Sequence, residues 1–216
     1  MKLYLDTAKP EEIREIAAWG VLSGLTTNPS LLAKAGISVG DFMAEVATLI
    51  SGPVSLEVTA EDADEMIKQA SHLRRYGENV VIKVPLTAQG LCACHTLANR
   101  GMAVNLTLVF SANQALLAAE AGAAYVSPFV GRLHDNGADG IRLVEEIRRV
   151  LDRCAHRPEI IAASIRSPRD VTEAALAGAD IATIPYDIMK KMLYHPLTKD
   201  GLDRFKTDWQ NSGLSL

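Results

Sequence analysis

The sequence predicts an α/β fold, a (β/α)8 TIM barrel with an extra C-terminal helix, on three observations. Short runs of β-branched and apolar residues alternate with stretches of helical period along all 216 residues, the pattern of a parallel sheet covered by helices. About eight such units occur, which suits a closed barrel better than an open sheet. The first strand is followed by "DTAKPEE", without the glycines that hold a dinucleotide phosphate in a doubly wound sheet, the alternative architecture. One domain over 1–216 is expected.

Residues 2–6 form the first strand, and Pro10 opens the helix at 10–18, because proline suits a first helical turn. Strands at 24–27 and 54–58 enclose apolar residues at spacings of three and four over 41–50. The acid pair Glu61-Asp62 opens the helix at 61–76, where carboxylates favour the positive end of the dipole. In "NVVIKVPLT" the fourth strand, 79–84, carries one ammonium group, Lys83, among apolar neighbours. Helix 88–100 hands over at Gly101 to strand 103–108, and helix 112–121 at Gly122 to strand 124–127, as glycine after a helix allows. Helix 137–154, strand 160–164, helix 169–177 ending at Gly178, strand 180–184 and helix 186–194 complete the set. The extra helix, about 198–211, places Leu202, Phe205 and Trp209 on one stripe. That stripe packs on its own barrel, the plainer expectation, or on a neighbouring subunit.

Composition narrows the class. Hydrophobic residues at 48% and charged residues at 22% are ordinary for a globular chain. A net charge of -4 supplies no basic field for a phosphate backbone, so no nucleic-acid partner is expected and any anion must be held locally. No apolar run approaches the roughly 20 residues of a membrane span, and an acid at the sixth position argues against a secretory signal. With three cysteines in no framework spacing, a cytoplasmic location is expected. Cys92, Cys94 and His95 invite a metal reading, but residues two apart on a helix do not share a face, and no metal is expected.

Active sites of such barrels lie at the C-terminal ends of the strands. Asp6 ends the first strand, Thr26 and Asn28 the second, Glu57 the third, Lys83 the fourth, Asn105 and Thr107 the fifth, Ser127 and Phe129 the sixth, and Ser164 and Arg166 the seventh. Pairs two residues apart share a face of a strand, so these side chains converge. Loss of water disfavours the ammonium form of an amine, leaving an electron pair free to attack a carbonyl and form a Schiff base. The alternative is a buried ion pair between Lys83 and Glu57. Schiff-base chemistry also needs proton transfers, for which Asp6 and Glu57 are the carboxylates, one acting through a water that Thr107 helps to hold. Arg132, Arg166 and Ser164 make a phosphate site on late barrel units, against the alternative of surface ion pairs such as Arg132 with Asp135.

The stretches "LDT" at 5–7, "GLTTNPSLLAKAG" at 24–36, "IKVPLTAQGL" at 82–91, "NLTLVFSANQALLAAEAGAAYVSPFVGRLHD" at 105–135 and "AASIRSP" at 162–168 resemble the transaldolase family over essentially the whole chain. They are most similar to its short-chain branch, which includes fructose-6-phosphate aldolases. The resemblance implies a Schiff-base lysine at Lys83, acid/base catalysis by Asp6, and a water positioned by Glu57 and Thr107, with no cofactor. It further implies that Asn28, Asn105 and Ser127 hold the dihydroxyacetone hydroxyls and that Arg132, Ser164 and Arg166 hold the phosphate. Aldolases of this branch have glutamine and tyrosine where this chain has Glu57 and Phe129, which is the transaldolase pattern. The implied function is therefore transfer of a dihydroxyacetone unit between sugar phosphates in the pentose phosphate pathway. Release of free dihydroxyacetone, or sugar-phosphate binding without turnover, are the alternatives. The branch also implies a homo-oligomer, commonly a decamer.

Overall fold

The computed structural model describes residues 1–215. Along the chain run β1 Lys2–Asp6, α1 Pro10–Ala17, β2 Gly24–Thr26, α2 Pro29–Ala35, α3 Val39–Val46, β3 Val54–Glu57, α4 Ala63–Leu73, β4 Val80–Pro85, α5 Ala88–Asn99 and β5 Val104–Val109. Then follow α6 Ala112–Glu120, β6 Tyr125–Pro128, α7 Val130–Asp135, α8 Gly140–Leu151, β7 Glu159–Ala162, α9 Pro168–Leu176, β8 Ile181–Pro185, α10 Tyr186–Leu193 and α11 Pro196–Ser212. The strands form one closed parallel barrel in sequence order, and β8 joins β1 from Lys2 opposite Ile181 to Asp6 opposite Pro185. The expected (β/α)8 barrel with its C-terminal helix is the observed fold.

Two-residue alternation sorts each strand between barrel interior and helix layer. Leu5, Leu25, Leu56, Ile82, Val84, Leu106, Ile160 and Ile184 face outward and pack in the main core with helix residues such as Ile13, Met66, Leu97 and Ile147. The inward positions near the strand starts hold Tyr4, Ile161 and Ile181, a separate apolar cluster flanked by Tyr125. Gly24 belongs to that layer: a Cβ there would lie 2.7 Å from the Tyr4 ring and 2.7 Å from the Pro53 carbonyl oxygen. Two residues further along, the inward positions turn polar at Asp6, Thr26, Ser127 and Thr183.

The structure adds two short helices that the periodicity does not predict, α2 and α7. The start of α2 is written locally: the Asn28 side chain accepts a hydrogen bond from the Leu31 N–H, and Pro29 takes the first turn. By contrast α7 has no side-chain cap at Phe129 and is held by its surroundings.

The last helix differs from the plainer expectation. None of its residues is buried, and Leu202, Phe205 and Trp209 are 63%, 70% and 43% exposed. Its apolar stripe therefore does not pack on its own barrel. The His195 imidazole, immediately before the helix, accepts from the Leu197 N–H at 3.2 Å and caps the helix start.

Candidate active site

Register aligns the first group of functional side chains. Glu57 stands opposite Lys83, and Lys83 opposite Asn105, so three neighbouring strands present them in one row. Lys83 is 6% exposed. Its Nζ lies 3.1 Å from Glu57 Oε2 and donates to the Thr27 carbonyl at 3.1 Å. The ion pair given above as the alternative is thus present, yet it does not fill the site. Such a pair is a weak source of stability by itself, and here it sits on the wall of a cavity.

Asp6 stands opposite Thr26, whose hydroxyl donates to Asp6 Oδ1 at 2.9 Å. Burial pushes the Asp6 carboxyl above the ordinary carboxylate range; the Lys83 charge and the Thr26 hydrogen bond pull it down, and the charge of Glu57 adds to the rise. A carboxyl in this condition can give a proton as well as take one.

A second group is locked by hydrogen bonds. Ser127 Oγ donates to Asn105 Oδ1 at 2.7 Å, and Asn105 Nδ2 donates to Ser55 Oγ at 3.4 Å. Asn105 consequently lies behind Ser127 rather than on the cavity wall. The fully buried Thr107 hydroxyl has no hydrogen-bond partner among the described residues, so it is available to a molecule in the cavity. The strand is irregular there, with its pairing register shifted between Leu106 and Val109 and Leu108 at φ 61°. Left-handed leucine costs on the order of 1 kcal/mol or more, a strain that tends to persist where it aims functional groups.

Beside the cavity α7 meets the loop after β7. Phe129 bridges Ala163, and the Val130 N–H donates to the Ala163 carbonyl at 2.9 Å. Contact this close requires Gly131, because a Cβ there would lie 2.0 Å from the Ser164 carbonyl oxygen and 2.7 Å from Arg166 Cγ. Arg132 and Arg166 thereby face one cavity, with Arg132 lying 4.8 Å from the centre of the Phe129 ring. Asp135 pairs with Arg166 at 3.2 Å, rather than with Arg132 as the surface-pair alternative supposes. The strand-spacing argument fails for Ser164 and Arg166: β7 ends at Ala162, and Ser164 takes φ 59°. A left-handed turn, not strand alternation, brings them in.

The inner cavity, about 150 Å³, is lined by Asp6, Lys83, Thr107 and Ser127 together with Arg132 and Arg166. Thr26, Asn28, Phe129 and Ser164 also line it. A wider cavity of about 450 Å³ shares Lys83 and both arginines and adds Glu57 and Lys34. Of the residues expected from the sequence, only Asn105 lines neither.

Three further residues, Thr183, Gly131 and Ser55, contribute to the site. Thr183 on β8 lines the inner cavity, and its place two residues after Ile181 is the same alternation signal used for the other strands. Gly131 and Ser55 act through others, and neither carries a local mark. Elsewhere, Cys94 is buried with its thiol pushed up to about 12 by burial, while Cys92 is exposed, so the two do not share a face. No group of three or more metal-binding side chains and no helix able to cross a membrane occurs among the described residues.

A family model described as Transaldolase/Fructose-6-phosphate aldolase matches residues 3–216. A probable transaldolase of Alkaliphilus metalliredigens is 54% identical over 210 residues, covering 97% of this chain and 98% of its own. One from Thermus thermophilus is 53% identical over 219 residues, with coverage of 97% and 98%. A mandelate oxidase variant carrying an FMN adduct superposes with a TM-score of 0.61 at 18% identity, over 87% of this chain and 65% of that one. At that identity the likeness extends to the barrel alone.

Proposed function

The chain belongs to the transaldolase/fructose-6-phosphate aldolase family, and from that premise we propose that it transfers a dihydroxyacetone unit between sugar phosphates through a Schiff base on Lys83. The observation that carries this reading is a buried amine, Lys83, on the wall of two cavities that also share Arg132 and Arg166, with the Asp6 carboxyl lining the inner one and the Glu57 carboxylate, 3.1 Å from Nζ, lining the wider one.

In this reading Arg132, Arg166 and Ser164 hold the phosphate of fructose 6-phosphate or sedoheptulose 7-phosphate. That places the ketone carbon toward Lys83, whose amine adds to it to give a carbinolamine. Glu57, 3.1 Å from Nζ, exchanges protons with the departing water, which the free Thr107 hydroxyl helps to hold. Asp6 then takes the proton of the hydroxyl beyond the bond to be cut. The C3–C4 bond breaks, its electrons pass into the imine, and the aldose phosphate leaves. Asn28 and Ser127 retain the three-carbon enamine through its hydroxyls, and Asn105 orients Ser127.

The enamine then attacks the carbonyl carbon of an acceptor such as glyceraldehyde 3-phosphate or erythrose 4-phosphate. Asp6 returns its proton to the new alkoxide, and water regenerates the lysine. Phe129 supports transfer over release, since its ring has no proton to give the enamine carbon. Such a reaction fits a cytoplasmic enzyme of the pentose phosphate pathway.

Borohydride reduction with fructose 6-phosphate is expected to leave a covalent three-carbon or six-carbon adduct on Lys83. A preparation that binds the sugar phosphate without adduct or turnover would make the chain a binding protein instead. An assay with and without acceptor separates transfer from release: rapid free dihydroxyacetone would assign it as an aldolase. Phe129→Tyr is expected to raise that release by roughly tenfold or more, the full contribution of a positioned acid being about 10²- to 10⁴-fold.

The exposed Leu202, Phe205 and Trp209 stripe supports a homo-oligomer in which α11 is covered by another copy, with a decamer as the size expected. Sedimentation equilibrium tests it, and a monomer at micromolar concentration would refute it.

A further inference from the structure

Thr183 is buried on β8, and its hydroxyl is hydrogen-bonded to that of Thr26 on β2. The two strands flank β1 from opposite sides, so the hydroxyls meet inside the barrel next to Asp6. The Thr26 hydroxyl has a single hydrogen to donate. While Asp6 is ionised it can only accept, so Thr26 donates to Oδ1 at 2.9 Å and must itself accept from Thr183. When a proton rests on Oδ1 the order reverses: Asp6 donates to Thr26, and Thr26 donates to Thr183. Both states of the carboxyl are then satisfied without any side chain moving.

We propose that Thr183 is a positioning residue for Asp6, acting through Thr26 as a hydrogen-bond chain whose polarity reverses each time Asp6 takes or gives its proton. The inference rests on the reading of Asp6 as the acid/base group. Donation from Thr183 polarises the Thr26 hydroxyl and strengthens its bond to the carboxylate, since successive hydrogen bonds reinforce one another. The charged groups facing Asp6 are Lys83 from β4 and Glu57 from β3; the chain from β2 and β8 is uncharged, so it tunes the carboxyl without adding a charge to the site.

The test is a carbon-13 NMR titration of the Asp6 carboxyl, assigned by its loss in Asp6→Asn and read without substrate. In Thr183→Val, which keeps the shape and removes the hydroxyl, the midpoint is expected to rise by about half a unit, roughly a threefold change in the ionised ratio. Thr183→Ala, which introduces no new bulk, is expected to shift the same way, and Thr183→Ser to keep the parent value. In a Thr26→Val background Thr183→Val is expected to have no effect. An unchanged midpoint in the Val and Ala variants overturns the proposal. An equal shift in Thr183→Ser also overturns it, because packing would then be the cause. Because the titration needs no turnover, its outcome is separate from trapping of the Lys83 adduct, which tests the catalytic reading.

Discussion

The interior of the barrel is two layers on the same strands. At Tyr4, Ile161 and Ile181 the inward side chains are apolar and fill the space; two residues later stand Asp6, Ala163 and Thr183, beside a cavity. On β1 and β8 both layers lie within the strand, so there the difference lies in what the side chains do with the space. In the lower layer contact removes water and stabilises the fold. In the upper layer a buried amine and carboxylates oppose burial, and the site persists because the layer beneath and the helix layer outside hold the strands in place.

If this division holds, substitutions in the upper layer lower activity without loss of stability, and those in the lower layer do the reverse. The largest expected effect is that of Asp6→Asn, a fall in transfer activity of about 10²- to 10⁴-fold. The Asp6 carboxyl lies above its unfolded value because of burial. A raised carboxyl stabilises the folded state only while protonated, and that contribution is lost as pH rises through the unfolded and then the folded midpoint. At neutral pH the amide is therefore expected to melt at the same or a higher temperature. A lower melting temperature, by calorimetry at pH 7, would break the comparison.

Gly131→Ala comes next. Its Cβ meets the Ser164 carbonyl, pushing α7 from the loop that carries Arg166, and loss of one good charge-assisted contact corresponds to a rise in KM of roughly tenfold or more. Inorganic phosphate inhibition is expected to weaken in parallel, while kcat changes little.

The smallest effect on turnover is expected for Gly24→Ala, whose Cβ would press on the Tyr4 ring. Overpacking of this kind costs about 1–3 kcal/mol, read from urea unfolding, with kcat per folded molecule retained. A large fall in kcat would mean that the lower layer also sets the geometry of the upper one.

Much of the upper layer was legible because it obeys a local rule. Lys83 follows Val81 by two residues, Asp6 follows Tyr4, and Ser127 follows Tyr125, so alternation within a few residues names the inward face. Thr183 obeys the same rule but carries a weaker signal, because its strand, "IATIP", ends in no charged or amide group. Ser164 and Arg166 carry the chemistry of an anion site but not the alternation, because β7 ends at Ala162 and a left-handed turn at Ser164, packed closely against Gly131, sets their positions.

The alternation of strands and helices, the lysine strand, and the residue types available at most strand ends are written in consecutive residues. These depend on propensities and periods that consecutive residues carry. Tertiary structure alone decided that Asp135 pairs with Arg166, that Asn105 stands behind Ser127, that Thr183 meets Thr26, and that α11 leaves its apolar stripe uncovered. Each of these depends on distances between segments remote in the chain, and such distances exist only once β8 has closed on β1.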